Sequence, residues 1–166
     1  MSCLRSVGEV GAFEHPVFVL DVPNLDAWPS KLDLSSRHFA LLIALDAKGI
    51  PDSRISDWVS LVLKAGAVSV SAWGPDCERV HDLFDHAIVS GLLTEGKESS
   101  VESVILTTWH DKEPLEDAVN FLVNVIEPAA DYKATCEAWV AASIGSSAYA
   151  RQIEASLRVL QGDWEP

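Results

Sequence analysis

Basic residues are scarce in this chain of 166 residues: 12 Lys+Arg stand against 25 Asp+Glu, a formal net charge of −13. That shortage argues against nonspecific binding to nucleic acid or to an anionic membrane, because phosphates are repelled. A basic protein is the compatible class of partner, although excess negative charge also simply keeps a domain in solution. Cysteine is scarce too. Cys3, Cys77 and Cys136 are an odd number, widely spaced, with no C-x-x-C pair. Neither a disulfide framework nor a structural zinc site fits that spacing. No apolar run reaches the ~18 residues of a membrane span, and "MSCLRSVGEVGAFEHP" lacks the apolar core of a secretion signal. A reducing cytoplasm is the expected location.

Catalytic signatures are missing as well. Neither G-x-x-x-x-G-K-[ST] nor G-x-G-x-x-G is present, so nucleotide phosphates have no glycine cradle. G-x-S-x-G and H-E-x-x-H are absent. Aspartyl-phosphate chemistry would need an acidic cluster with a rim lysine. Asp46 and Lys48 exist, but the strand that follows them ends in Trp73. No cofactor and no metal are expected.

What is present is an alternation of apolar patterns. Hydrophobic residues make up 48% of the chain, enough for one domain with a full core. Residues 1–16 read as a loose N-terminal arm and 17–166 as a single α/β domain. Val17–Val22 reads as a strand, and Pro23–Arg37, with its prolines and turn residues, as a connection over the surface. The run His38–Asp46 is apolar on both alternating faces, which marks the middle of a parallel sheet. A helix follows, capped by Asp52 or Ser53 and ended by Gly66. Ala67–Ala72 is the next strand, and a helix begins at Pro75. Residues 91–100 read as a polar loop, and Val101–Thr108 as a third strand. Leu115 to Ile126 repeat at helical spacing. Tyr132–Ala141 alternates with period two and reads as an edge strand, open to pairing with another copy. A last helix is capped by Ser146 or Ser147 and stopped by Gly162. Strands alternating with helices mean right-handed βαβ units. The expectation is a three-layer α/β sandwich: a mostly parallel sheet of about five strands, helices on both faces, Rossmann-like or flavodoxin-like.

In such sheets ligands sit beyond the carboxyl ends of the strands. Three ends can be read: "LDAKG" with Asp46 and Lys48, "AWGPDC" with Trp73, Asp76 and Cys77, and "TTWHD" with Thr107, Thr108, Trp109, His110 and Asp111. If these strands are parallel neighbours, Asp46, Trp73, Asp76, Cys77, Trp109 and His110 share one rim. Cys77 falls in the first turn of a helix, where the dipole favours thiolate. His81 or His110 could pair with it as a nucleophile dyad. The plainer reading puts Cys77 on the buried stripe with Val80, Phe84 and Ile88, between Asp76 and Glu78, which oppose ionisation. Asp111 is a candidate catalytic carboxylate or the cap of the next helix. His81, Asp82, Asp85 and His86 are a conceivable metal cluster or a solvated helix face.

Two functions are carried forward. The first is a small acidic, non-catalytic interaction or regulatory module for a basic protein partner. The second is a small-molecule binder or enzyme working at the rim of Trp73, Cys77, Trp109 and His110.

Overall fold

The computed structural model describes residues 3–96, 100 and 102–162. They form an α/β fold with one mixed, mostly parallel six-stranded sheet and four helices. The strands are β1 (Cys3–Val10), β2 (His15–Val22), β3 (His38–Leu45), β4 (Ala67–Trp73), β5 (Leu106–His110) and β6 (Cys136–Ile144). The helices are α1 (Asp52–Lys64), α2 (Cys77–Glu95), α3 (Leu115–Asn124) and α4 (Ser147–Leu160). The sheet order is β1-β2-β6-β3-β4-β5; only the β1–β2 pair is antiparallel.

The alternating side chains of the strands divide the core in two. On one face Leu41, Ile43, Val70, Ala72, Val140 and Ala142 meet Ile55, Trp58, Val59 and Val62 of α1 and Val80 and Phe84 of α2. On the other, Leu42, Ala44, Val19 and Ala141 meet Leu115, Ala118, Val119 and Leu122 of α3 and Ile153 and Leu157 of α4. Within β3, Phe39 to Leu45 are all buried, as its unbroken apolar run requires.

The runs starting at His38 and Ala67 are parallel neighbours, and β5 lies parallel beside β4. Elsewhere the structure corrects the sequence reading. The loose arm is not loose over residues 3–10, which form edge strand β1 against β2; residues 1–2 lie outside the described residues. The edge strand expected at Tyr132–Ala141 is instead the central β6, starting at Cys136 and flanked by β2 and β3. Its small residues misled: Ala141 and Ser143 are fully buried, and His15 stacks over Trp139 with ring centroids 3.5 Å apart. Alanine lets a helix approach closely, so alternation with alanine does not mean alternation with water.

The third strand is displaced and short. It begins at Leu106, because Glu102 and Ser103 turn to accept hydrogen bonds from Asp131 N and the Tyr132 hydroxyl; Val101 lies outside the described residues. The helix expected to stop before residue 91 runs on to Glu95 and ends at Gly96 in the left-handed region; residues 97–99 of the expected loop lie outside the described residues. The connection 23–37 does more than cross the surface, since it buries Leu25, Trp28 and Leu32 in the first core. Neither Asp52 nor Ser53 caps α1, which starts after Pro51 without a side-chain cap. Ser146 does cap α4, accepting from Tyr149 N.

Candidate functional site

Residues 73–77 make a tight bridge between β4 and α2. Gly74 has φ +115°, and a Cβ there would lie 2.3 Å from Leu45 O, so β3 packs directly on the turn. Asp76 takes a left-handed conformation (φ 67°) as the N-cap of α2, which leaves Cys77, not Pro75, as the first helical residue. Asp76 accepts from Arg79 Nε at 2.8 Å. Arg79 also donates to Ala47 O, Ile50 O and Asp52, tying the β3–α1 loop to the start of α2.

The rim residues do not converge. Trp109 and His110 were expected beyond the third strand; both lie within it, so period two sends them to opposite faces. His110 is buried and turns toward α3, its ring 4.7 Å from Phe121. His110 Nδ1 donates to Glu113 Oε2 at 2.9 Å, and Nε2 lies 3.4 Å from Thr108 Oγ1. Trp73, level with His110 across β4–β5, donates Nε1 to Glu113 O at 2.8 Å and meets Tyr149 edge-on. Cys77 belongs to the core on the other face, 2% exposed. Burial pushes its thiol above the ordinary range. The backbone at His110 pulls it partly back, and the Asp111 carboxylate pushes it up again. The Cys77–His110 dyad is therefore not formed, since the sheet lies between the two side chains. Asp111 does not cap α3, whose N-cap is Pro114; it pairs with Lys112 at 3.3 Å.

On the α2 side of β5 a polar group is assembled. The Thr107 hydroxyl donates to Asp85 and lies 3.2 Å from His81 Nε2. His81 Nδ1 is 3.2 Å from Asp82 Oδ1. The His81 ring lies against Trp109, centroids 4.5 Å apart, and Trp109 remains 46% exposed. These contacts, rather than Cys77, occupy His81. Among the described residues no cluster of three His, Cys, Asp or Glu side chains is placed to hold a metal ion.

Asp46 stands apart from this edge. It accepts from Lys48 N and lines an open crevice of about 440 Å³ at the carboxyl ends of β2, β6 and β3. There the chain leaves β3 for a helix on one face and β6 for a helix on the other. Arg54, Ser146 and Tyr149 also line it. The sequence reading missed these three, because the crevice is defined by strand order. Most of its polar groups are engaged: Arg54 with Asp26, Ser146 with Tyr149 N, Asn24 with Ala27 N.

From the inner half of β2 through α4, this arrangement coincides with a recognised sequence family, whose match covers residues 19–159. The chain belongs to the family described as Domain of unknown function (DUF7684). Edge strand β1 falls outside the DUF7684 match, half of β2 lies inside it, and the other four parallel strands and all four helices fall wholly or mostly within it. No curated protein and no solved structure matches the chain. Among the described residues no helix is long and apolar enough to cross a membrane.

Proposed function

We propose that this chain is a non-catalytic interaction module that receives an extended, basic segment of a partner protein along β5 and the adjoining side of α2. The observation that carries the reading is Trp109, nearly half exposed on an edge strand among carboxylates. An edge strand offers unpaired backbone groups to an incoming strand, and tryptophan is a frequent anchor of binding energy. Val89 and Leu93, which follow Asp85 along α2 at i+4 and i+8, extend the apolar surface, and Leu106 is exposed on the opposite face of the strand. Asp82, Asp85, Asp111 and Glu113 surround the strand, and Lys112 is already paired with Asp111. That surface complements a basic segment. It also disfavours β5 pairing with a second copy, which would set like charges together. A buried Cys77 separated from His110 supports the non-catalytic half of the reading.

The same reading includes a three-layer, Rossmann-like or flavodoxin-like sandwich in the cytoplasm. Helices α1 and α2 on one face of the sheet and α3 and α4 on the other support the layering. The net charge of −13 supports a partner other than nucleic acid or membrane.

Affinity capture from the native host tests this, comparing the wild type with Trp109→Lys at rising salt. The expected result is a basic protein held at low salt, released as salt rises, and lost with Trp109→Lys. Retention by both proteins, or indifference to salt, overturns the reading.

A second reading, a small-molecule site at the carboxyl ends of the strands, is favoured by the crevice at the switch between β3 and β6, where such sheets bind ligands. The engagement of its polar groups within the chain ranks it second.

A further inference from the structure

At the opposite end of the sheet, beside the start of β3 and the end of α1, lies an open hollow of about 560 Å³. That is within the ~300–1,000 Å³ usual for small-ligand sites. Three cations line it: Lys31 and Arg37 from the 23–37 connection and Lys64 from the last turn of α1. No carboxylate lines it. The chain carries 25 acidic side chains against 12 basic ones. Even so, none of these three cations has an ion-pair or hydrogen-bond partner among the described residues, whereas Arg5, Arg54, Arg79, Lys112 and Lys133 are paired. Lys48 and Arg158 share that state singly elsewhere, but among the described residues only here do three such cations line one hollow. Lys64 has a local reason to be there, since the α1 carboxyl terminus attracts a cation. Lys31 and Arg37 lie on a connection and have no such reason.

The wall is fixed in place. Gly66, at φ +108°, lets the Arg37 backbone come so close that a Cβ would lie 2.5 Å from Arg37 O. Ser36 Oγ donates to His38 O at 2.6 Å and accepts from Glu137 N at 2.7 Å, which pins the connection to β3 and β6. The hydroxyls of Ser30 and Ser35 also line the hollow and have no hydrogen-bond partner among the described residues. Leu34, half-buried, supplies the apolar wall and rests on the core that holds Leu32 and Phe39. The Arg37 charge is felt next door, where, after burial, it is the second cause that lowers the His38 pKa.

We propose that this hollow binds a small phosphomonoester, its phosphoryl group held by Lys31, Arg37 and Lys64 with the hydroxyls of Ser30 and Ser35, and its organic body laid on the half-buried Leu34. A planar guanidinium offers a phosphate two parallel hydrogen bonds, and lysines add charge without demanding geometry. The hollow faces away from the carboxyl ends of the strands, so the proposal stands independently of the partner surface on β5.

Nuclear magnetic resonance titration of the ¹⁵N-labelled full chain tests it, at constant ionic strength, with glucose 6-phosphate, inorganic phosphate and glucose as probes. The expected result is saturable shifts of amides 30–37 and 64–66 with glucose 6-phosphate, weaker binding of phosphate and none of glucose. Lys31→Gln with Arg37→Gln should weaken binding about tenfold or more, while Lys112→Gln should leave it unchanged. Both substitutions are of exposed residues, and an unchanged spectrum elsewhere verifies the fold. Absence of saturation by about 10 mM, or equal binding by the double variant, overturns the proposal. Equal affinity for phosphate and glucose 6-phosphate assigns the hollow to the free anion and overturns the phosphomonoester.

Discussion

Trp73 and His110 stand opposite one another across the β4–β5 ladder, and Glu113 holds both, its carbonyl taking the indole N–H and its carboxylate the imidazole N–H. Two residues that look like site chemistry at adjacent strand ends are thus the fastening of the β5–α3 turn. The same relationship places the imidazole on the α3 face, away from Cys77.

The thiols should be inert as a consequence. Burial raises Cys77 above its ordinary pKa and pushes Cys136 up to about 11. In a Cys3→Ser background, native protein at pH 8 should label at both positions at least ~100-fold more slowly than a model thiol. Urea should abolish the difference. Rapid native labelling of Cys77 would restore the nucleophile reading.

Arg79 is expected to be the main polar tie at the carboxyl end of the sheet. Its hydrogen bonds to Ala47 O, Ile50 O, Asp52 and Asp76 join two loops. Arg79→Met should cost about 1–3 kcal/mol in denaturant unfolding, because two loop carbonyls lose their donor. Arg79→Lys should recover only part, since an ammonium cannot span the same acceptors. A change below ~0.5 kcal/mol in Arg79→Met would show that water replaces the side chain fully.

Gly74→Ala should destabilise by roughly 2 kcal/mol or more, through a strained φ and the approach to Leu45 O. Gly96→Ala, at a position with open space around it, should cost less. Thermal unfolding of the two variants side by side checks the order, and the reverse order contradicts the packing of the turn on β3.

Acid should weaken the fold through two histidines. Burial lowers His15 and His38 below the ordinary 6.5, opposed at His15 by Glu127 and reinforced at His38 by Arg37. Above 6.5 both are neutral, folded or unfolded. As pH falls through 6.5 the unfolded chain takes up protons first, so stability drops, levelling off below the folded pKa values. Urea midpoints from pH 7.5 to 5.5 should fall more steeply for the wild type than for His15→Gln/His38→Gln. Parallel slopes would contradict the shifts.

The parallel core was legible because β3 carries apolar side chains on both faces, a pattern that helices seldom show. The position of β6 was not. Its Ala138, Ala141 and Ser143 look half-solvated, and only the return of the chain from α3 between β2 and β3 buries them. The candidate rim failed by two residues: once β5 extends to His110, the strand period separates Trp109 from His110. The crevice beside Arg54, Ser146 and Tyr149 needed the strand order, and no local pattern carries that.

The central claim is that a basic segment docks on β5 beside Trp109. Carbodiimide cross-linking of the captured complex, read by mass spectrometry, tests it most directly by joining partner lysines to nearby carboxylates. The account predicts cross-links at Asp82, Asp85, Asp111 or Glu113, lost in Trp109→Lys. Cross-links confined to carboxylates remote from β5, such as Asp26 or Glu154, or unchanged by the substitution, would contradict it.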